Sequence, residues 1–196
     1  MRLRTGIVCL LMMYLSLSLN AGVACDFSST SLDSVPMEHS LSFGFIAGNS
    51  GDRGQGEHGL DLKYTFQLQL TPYFSTGIGT GWMSLSSGTA EQVVPFYLRL
   101  DLHATKQHSA VPFFVLDTGI GVPSNTGGQF STVAVQGGWY FSPSAGLTIP
   151  ISRVLDMRIG CGYIHQKMSF ELSEWGQIIR ERVHFHRLKL FIGVRL

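Results

Sequence analysis

Residues 60–70 read LDLKYTFQLQL, and apolar and polar side chains alternate through the whole stretch. Residues 94–102 (VPFYLRLDL) and 188–196 (LKLFIGVRL) repeat the pattern. Successive side chains of a β-strand point to opposite faces, so a period of two separates two kinds of residue onto two faces. No stretch after residue 39 combines a helical period with helix caps. The sequence therefore predicts an all-β fold.

Composition excludes several protein classes. The chain has 196 residues, of which 14% are charged and 23 are glycine, and its 14 Lys and Arg nearly balance its 13 Asp and Glu. This balance excludes a polycation that coats nucleic acid, and three cysteines are too few for a disulfide-dense scaffold. Residues 118–152 carry no Asp, Glu, Lys, Arg or His, but Gly, Ser, Pro and Thr interrupt this run, so it is no membrane helix.

The N-terminal segment has the order of a secretory signal peptide. Two arginines precede an apolar run at residues 7–19, and small residues follow as far as Ala24. This order predicts a signal peptide over residues 1–24 that is removed on export. Cys25 follows the predicted cleavage site, so lipidation of this cysteine is an alternative. Residues 25–38 are rich in serine and predict a flexible periplasmic lead-in.

Residues 39–196 are expected to form the folded domain. Alternation and turn signals predict eight strands, joined in sequence by hairpins, at residues 40–48, 58–70, 74–85, 92–103, 111–122, 137–151, 155–172 and 179–196. Turns set the register. A turn at residues 71–73 pairs Leu70 with Phe74 and Lys63 with Gly81, whereas a one-residue slip would mix the two faces.

The face opposite the apolar one combines glycines with ions. Solvent-exposed strand faces are usually rich in Thr, Lys and Glu, and glycine weakens them. Eight strands enclose an interior that side chains just fill, so we place these residues in the lumen and the apolar face against a bilayer. Closure of the sheet removes unsatisfied strand edges, as a membrane requires. The predicted structural ion network of the lumen consists of Asp61, Lys63, Arg99, Asp101, Asp117, Arg158, Arg187 and Lys189.

A group of basic residues is expected on the outward face. A two-residue turn at 175–176 pairs His165 with His186 and Lys167 with His184, near the outer rim of the barrel. These side chains are predicted to form a polar collar where the apolar band ends, with a site for a metal or for lipopolysaccharide phosphates as the alternative. The glycine-rich residues 49–56 match neither a P-loop nor an EF-hand, and no metal or cofactor is expected.

The chain resembles the small eight-stranded outer-membrane barrels of Gram-negative bacteria, particularly the outer membrane protein β-barrel domain proteins of Bacteroidota. The signal peptide, the hairpin spacing and the segments FSPSAGLTIPI (141–151), RIGCGY (158–163) and KLFIGVRL (189–196) carry the resemblance. It implies an antiparallel up-and-down transmembrane barrel in the cell outer membrane, with both termini in the periplasm.

The resemblance also implies partners. We expect a monomer that contacts outer-membrane lipid and lipopolysaccharide and binds no nucleic acid. Its C-terminal strand resembles the signal that the barrel-insertion machinery reads, although the family often ends in Phe and this chain ends in Leu196.

The expected function is non-enzymatic: a structural or surface-interaction role through extracellular loops. A lipid-modifying enzyme is one alternative, and it would need a serine, a histidine and a carboxylate together. The adjacent pairs His39-Ser40 and His108-Ser109 fall at the expected periplasmic end, away from lipid A. A small-solute pore is a second alternative, but an open channel needs more than eight strands. A soluble periplasmic barrel is the rival fold.

Overall fold

The computed structural model describes residues 36–50, 56–85, 92–104, 110–124, 132–152, 154–174 and 177–196. The predicted signal peptide at residues 1–24 and Cys25 lie outside these residues. The lead-in does too, except for its last three residues. No helix in the described residues is long and apolar enough to cross a membrane.

The described chain forms one closed antiparallel barrel. Its strands are β1 (Met37–Ser50), β2 (Gly56–Thr71), β3 (Phe74–Ser84), β4 (Gln92–His103), β5 (Val111–Pro123), β6 (Thr132–Gln136), β7 (Gly138–Pro150), β8 (Asp156–Glu174) and β9 (Gln177–Arg195). Each strand pairs with its sequence neighbour, except that β6 and β7 together occupy one strand position of the barrel. β7 pairs with β5 and β8, and β6 pairs with the far part of β8. β9 pairs with both β8 and β1, which closes the sheet. The predicted eight-stranded all-β fold is confirmed.

Two strands begin earlier than predicted. β1 begins at Met37, inside the predicted lead-in, because the Gln69 amide donates to the Pro36 carbonyl (3.0 Å) and extends the β1–β2 ladder. The sixth strand position begins at Thr132 and not at the predicted residue 137, because β6 pairs with the long strand β8.

The predicted register is confirmed except at the turn between β2 and β3. Lys63 lies opposite Gly81, His165 opposite His186 and Lys167 opposite His184. The predicted pair of Leu70 with Phe74 was wrong: Thr71 faces Phe74, and an irregularity between Gln69 and Thr71 absorbs one residue. The Thr71 hydroxyl accepts a hydrogen bond from the Tyr73 amide (3.3 Å), which tightens the turn.

Alternation along each strand gives the barrel an inverted polarity. In β4, Arg99 and Asp101 are buried, whereas Leu98 and Phe96 are 59% and 50% exposed. β9 repeats this pattern with buried Lys189 between Leu188 and Leu190, which are 70% and 65% exposed. Apolar side chains therefore cover the outside, and ions occupy the lumen.

The lumen has two zones. We call the end where the chain enters at Met37 and leaves at Arg195 the terminal end, and the opposite end the loop end. The lumen toward the loop end holds an apolar cluster made of Ile46, Met83, Leu85, Val93, Tyr97, Tyr140, Ile164, Met168 and Phe185. Most of the ions lie between this cluster and the terminal end. Glycine makes room for long side chains, since a Cβ at Gly79 would lie 2.4 Å from the Tyr97 ring.

Candidate functional site

Asp117 on β5 binds two cations in the middle of the lumen. Its carboxylate accepts hydrogen bonds from Arg99 Nε (2.7 Å) and Nη2 (3.0 Å) and from Lys63 Nζ (2.9 Å). Arg99 lies directly opposite Asp117 in the β4–β5 register, whereas Lys63 reaches across the lumen from β2. All three side chains are buried. A two-pronged guanidinium–carboxylate pair of this kind fixes orientation as well as charge.

A second carboxylate, Asp61, links two lysines. Its Oδ2 lies 3.8 Å from Lys63 Nζ and 3.5 Å from Lys189 Nζ. Lys63 also donates a hydrogen bond to the Tyr140 hydroxyl. Because the Tyr140 ring belongs to the apolar cluster, this contact joins the ion network to the apolar zone.

Asp101 forms the third pair, across the barrel from β4 to β8. It accepts two hydrogen bonds from Arg158, at 2.6 Å from Nη1 and 2.8 Å from Nη2, and one from Gln67 Nε2 at 3.2 Å. The Arg158 guanidinium lies 3.9 Å from the centroid of the Phe113 ring, a cation–π arrangement. Seven of the eight predicted lumen ions thus lie in ion pairs of the described residues.

Arg187 is the eighth predicted ion, and it lies beside an aromatic ring of the lumen. Its side chain is buried, and the guanidinium lies 5.4 Å from the centroid of the Phe185 ring, at the edge of the apolar cluster. The structure thus brings Arg187 into contact with an apolar part of the lumen.

Sequence reasoning missed a group at the terminal end. Arg195 Nη2 donates to Asp156 Oδ2 (2.7 Å), and its Nη1 lies 3.5 Å from Glu38 Oε2. Asp156 lies directly opposite Arg195 in the β8–β9 register. The hairpin register that located the histidines would have found this pair as well.

Side chains fill the described lumen almost completely. A void of about 20 Å³ remains beside Ser40, Arg99, Ser144, Arg158 and Lys189. This is room for about one water molecule. The apolar cluster occupies the lumen toward the loop end. Ion pairs and the apolar cluster thus occupy the described lumen at two levels.

The predicted rim residues lie together on the outside of β8 and β9. The ring centroids of His165 and His186 are 4.8 Å apart, and those of His165 and His184 are 5.5 Å apart. His186 Nδ1 shares a hydrogen bond with the Tyr163 hydroxyl. Together with Lys167 and exposed Arg182, the three histidines form what we call the basic patch. The described residues contain no group of three His, Cys, Asp or Glu that could hold a metal ion.

The outer wall also carries a groove that sequence reasoning missed. It has a volume of about 610 Å³ and runs across β2, β3, β4, β5 and β7. Its floor contains Thr80 and Thr118, and Phe96, Ile120 and Trp139 are among the larger residues around it. The signal was present in the sequence: Thr80 and Thr118 are small side chains at outward positions otherwise held by large apolar ones.

The His-Ser pairs considered for catalysis are separated from the basic patch. His39 lies near the start of β1 at the terminal end, where its Nδ1 is 2.7 Å from the Tyr64 hydroxyl. Ser40 is buried in the lumen, 3.4 Å from Arg99 Nη1. His108 and Ser109 lie outside the described residues.

Comparison with known proteins gives likeness of fold. No protein-family model matches the chain, and no curated protein does. Neisserial surface protein A is similar over 82% of this chain and 96% of its own, with TM-score 0.58 and 12% identity. OprG of Pseudomonas aeruginosa, an outer membrane protein, is similar over 82% and 95%, with TM-score 0.58 and 9% identity. The outer membrane protein AlkL is similar over 87% and 94%, with TM-score 0.54 and 14% identity. These likenesses show the small eight-stranded barrel fold.

Proposed function

We propose that the protein is a non-enzymatic, monomeric integral protein of the outer membrane, and that its barrel anchors surface loops. The inverted polarity of the barrel carries this proposal. Apolar side chains as exposed as Leu98 (59%) and Leu190 (65%) face outward, while Asp117 and Lys63 are buried inside. In water this arrangement would expose a continuous apolar band, whereas a bilayer demands one.

Outer-membrane location has further support. The solved structures with the same fold include outer membrane proteins. The N-terminal residues read as an export signal, and β9 ends the chain with the alternating pattern that the resemblance assigns to barrel insertion. The finer resemblance to Bacteroidota proteins rests on the sequence segments alone. In this orientation the loop end is extracellular, and the connections that follow β1 and β5 present the surface for partners.

The packed lumen favours an anchor over a small-solute pore. The apolar cluster and the ion pairs leave a void of about 20 Å³. Each buried ion is stabilised by its partner, and a solute that separated the two would leave a buried charge unpaired at a large electrostatic cost.

Heat modifiability and conductance test the proposal together. The full chain, folded in detergent, should migrate faster on a gel before boiling than after it, as a closed barrel does, and should give no steady current steps in a planar bilayer. A variant with Met168→Ala and Phe185→Ala, which thins the apolar cluster, serves as the control for detection of small currents. Recovery of the folded protein from the soluble fraction without detergent would overturn the membrane location, and stable current steps in the unaltered chain would overturn the closed lumen.

Lipid A analysis tests the absence of enzymatic activity. We expect the lipid A mass spectrum of a deletion strain to equal that of the parent. A change that the intact gene restores would establish the lipid-modifying enzyme instead.

A further inference from the structure

We infer that the outer wall of the barrel binds a lipid whose headgroup carries phosphate, with the phosphate on the basic patch and an acyl chain in the groove. This inference rests on the proposed membrane location. It assigns a class of ligand to the outer wall, for which the proposed anchoring role requires no ligand.

The basic patch offers several nitrogen donors in a small area. Lys167 and His184 lie directly opposite each other, as do His165 and His186. The ring centroid of His165 lies 4.8 Å from that of His186 and 5.5 Å from that of His184. Arg182 follows on the same face of β9 and is exposed. Lysine and arginine side chains near a membrane surface are attracted to anionic lipid headgroups, and protonated histidine adds further charge.

The described carboxylate near the loop end of this hairpin is already engaged. Glu171 accepts a hydrogen bond from Arg180 Nε at 3.1 Å and a second one from Nη2. Tyr163, which contacts His186, is neutral in ordinary conditions and can itself donate to a phosphate oxygen. From the neighbouring strand β7, the outward side chains beside the patch are Trp139 and Phe141. The described surroundings of the patch therefore leave its charge available to an anion.

The groove begins one strand away from the patch. Phe141 on β7 lies opposite His165, and Trp139, two residues earlier on the same face, lines the groove. Ile120 and Phe96 also line the groove, as do the small side chains of Thr118 and Thr80. Its volume of about 610 Å³ falls within the range of small-molecule sites.

Charge complementarity selects the occupant. A soluble anion would use the basic patch alone, and a neutral lipid would use the groove alone. A lipid with a phosphate headgroup uses both, because its headgroup lies at the edge of the apolar band and its chains lie within it. The basic patch lies nearer the loop end, and the groove extends from it toward the terminal end.

Quenching of Trp139 by brominated lipids tests the inference. The full chain with Trp82→Phe and Trp175→Phe keeps Trp139 as its one tryptophan and is refolded into vesicles of phosphatidylcholine. Brominated acyl chains are then supplied on either phosphatidic acid or phosphatidylcholine. We expect phosphatidic acid to quench Trp139 at several-fold lower mole fraction than phosphatidylcholine does.

Two sets of variants locate the contacts. Lys167→Gln with Arg182→Gln should abolish most of this several-fold preference, because these two cations attract the anionic headgroup. The matched control Arg180→Gln with Glu171→Gln removes an engaged ion pair as a whole and should preserve the preference. Thr118→Phe should weaken quenching by both lipids, since its ring fills the groove.

The outcomes separate this inference from the proposed function. Quenching of Trp139 to the same extent by both brominated lipids would overturn the phosphate-lipid site and leave the membrane location intact. A preference that survives Lys167→Gln with Arg182→Gln would also overturn it. Absence of quenching by either lipid would contradict the membrane location itself.

Discussion

Asp117 illustrates at the scale of single residues how this lumen tolerates charge. A buried ion is costly unless partners replace its water, and Asp117 receives three hydrogen bonds from two cations. Its pair with Arg99 follows from strand register and is readable from the sequence. Its contact with Lys63 joins strands that are not neighbours and depends on how the barrel closes. The pair of Asp101 with Arg158 also joins strands that are not neighbours. The alternating sequence pattern therefore predicted that these ions lie inside, but not which of them pair.

Removing the charge of Asp117 should destabilise the barrel strongly. Asp117→Asn deprives buried Arg99 of its paired carboxylate and leaves Lys63 with Asp61 alone, and we expect a loss of about 3–5 kcal/mol in the free energy of unfolding. Urea titration in phospholipid vesicles, followed by tryptophan fluorescence, measures it. Glu171→Gln is the matched control: its partner Arg180 has a side chain that is 56% exposed, and the expected loss is about 0–1 kcal/mol. Equal losses for both variants would contradict the ion network.

At the scale of elements, the face that a strand turns to the lumen was predictable where its two faces differ in polarity, and it was not where both faces are apolar. β4 was predicted with its exact ends, because its ions and its apolar residues alternate through most of its length. Near the loop end, buried Met83 follows Trp82, and buried Ile164 follows Tyr163. There both faces are apolar, so the pattern cannot tell which side chain enters the lumen. The apolar cluster was missed for this reason.

An arginine on the outward face of β4 tests which side of the strand meets lipid. Leu98→Arg should cost about 2–4 kcal/mol of unfolding free energy in vesicles, the cost of a lipid-facing arginine near the bilayer midplane. Leu188→Arg, beside His186 at the edge of the band, should cost about 0–1 kcal/mol. The same urea titration measures both. If Leu98→Arg leaves the stability unchanged, the outward face of β4 meets water.

At the scale of the whole molecule, the low charge and abundant glycine of the chain acquire a structural meaning. The buried charged residues comprise Lys63, Arg99, Arg158, Arg187, Lys189 and Arg195 against Asp61, Asp101, Asp117 and Asp156. These ten ions lie inside the barrel, and glycines such as Gly79 and Gly121 make room there for the side chains of Tyr97 and Gln166. The outside is left apolar. The sequence predicted this inversion, but the groove and the closure of the lumen depend on how side chains from distant strands meet.

The central claim is that the outward face of the barrel lies in lipid, and a spin label at Cys161 tests it most directly. Cys161 is a free, exposed cysteine on β8, opposite Leu190. With Cys9 and Cys25 changed to Ser, it is the single thiol of the chain. The protein is labelled unfolded and refolded into vesicles, and collisions are measured by power-saturation electron paramagnetic resonance. A second label at Arg182→Cys marks the water-exposed end of the hairpin. We expect the label at Cys161 to collide often with oxygen and rarely with a water-soluble nickel chelate. Collision with the nickel chelate as frequent at Cys161 as at position 182 would contradict it.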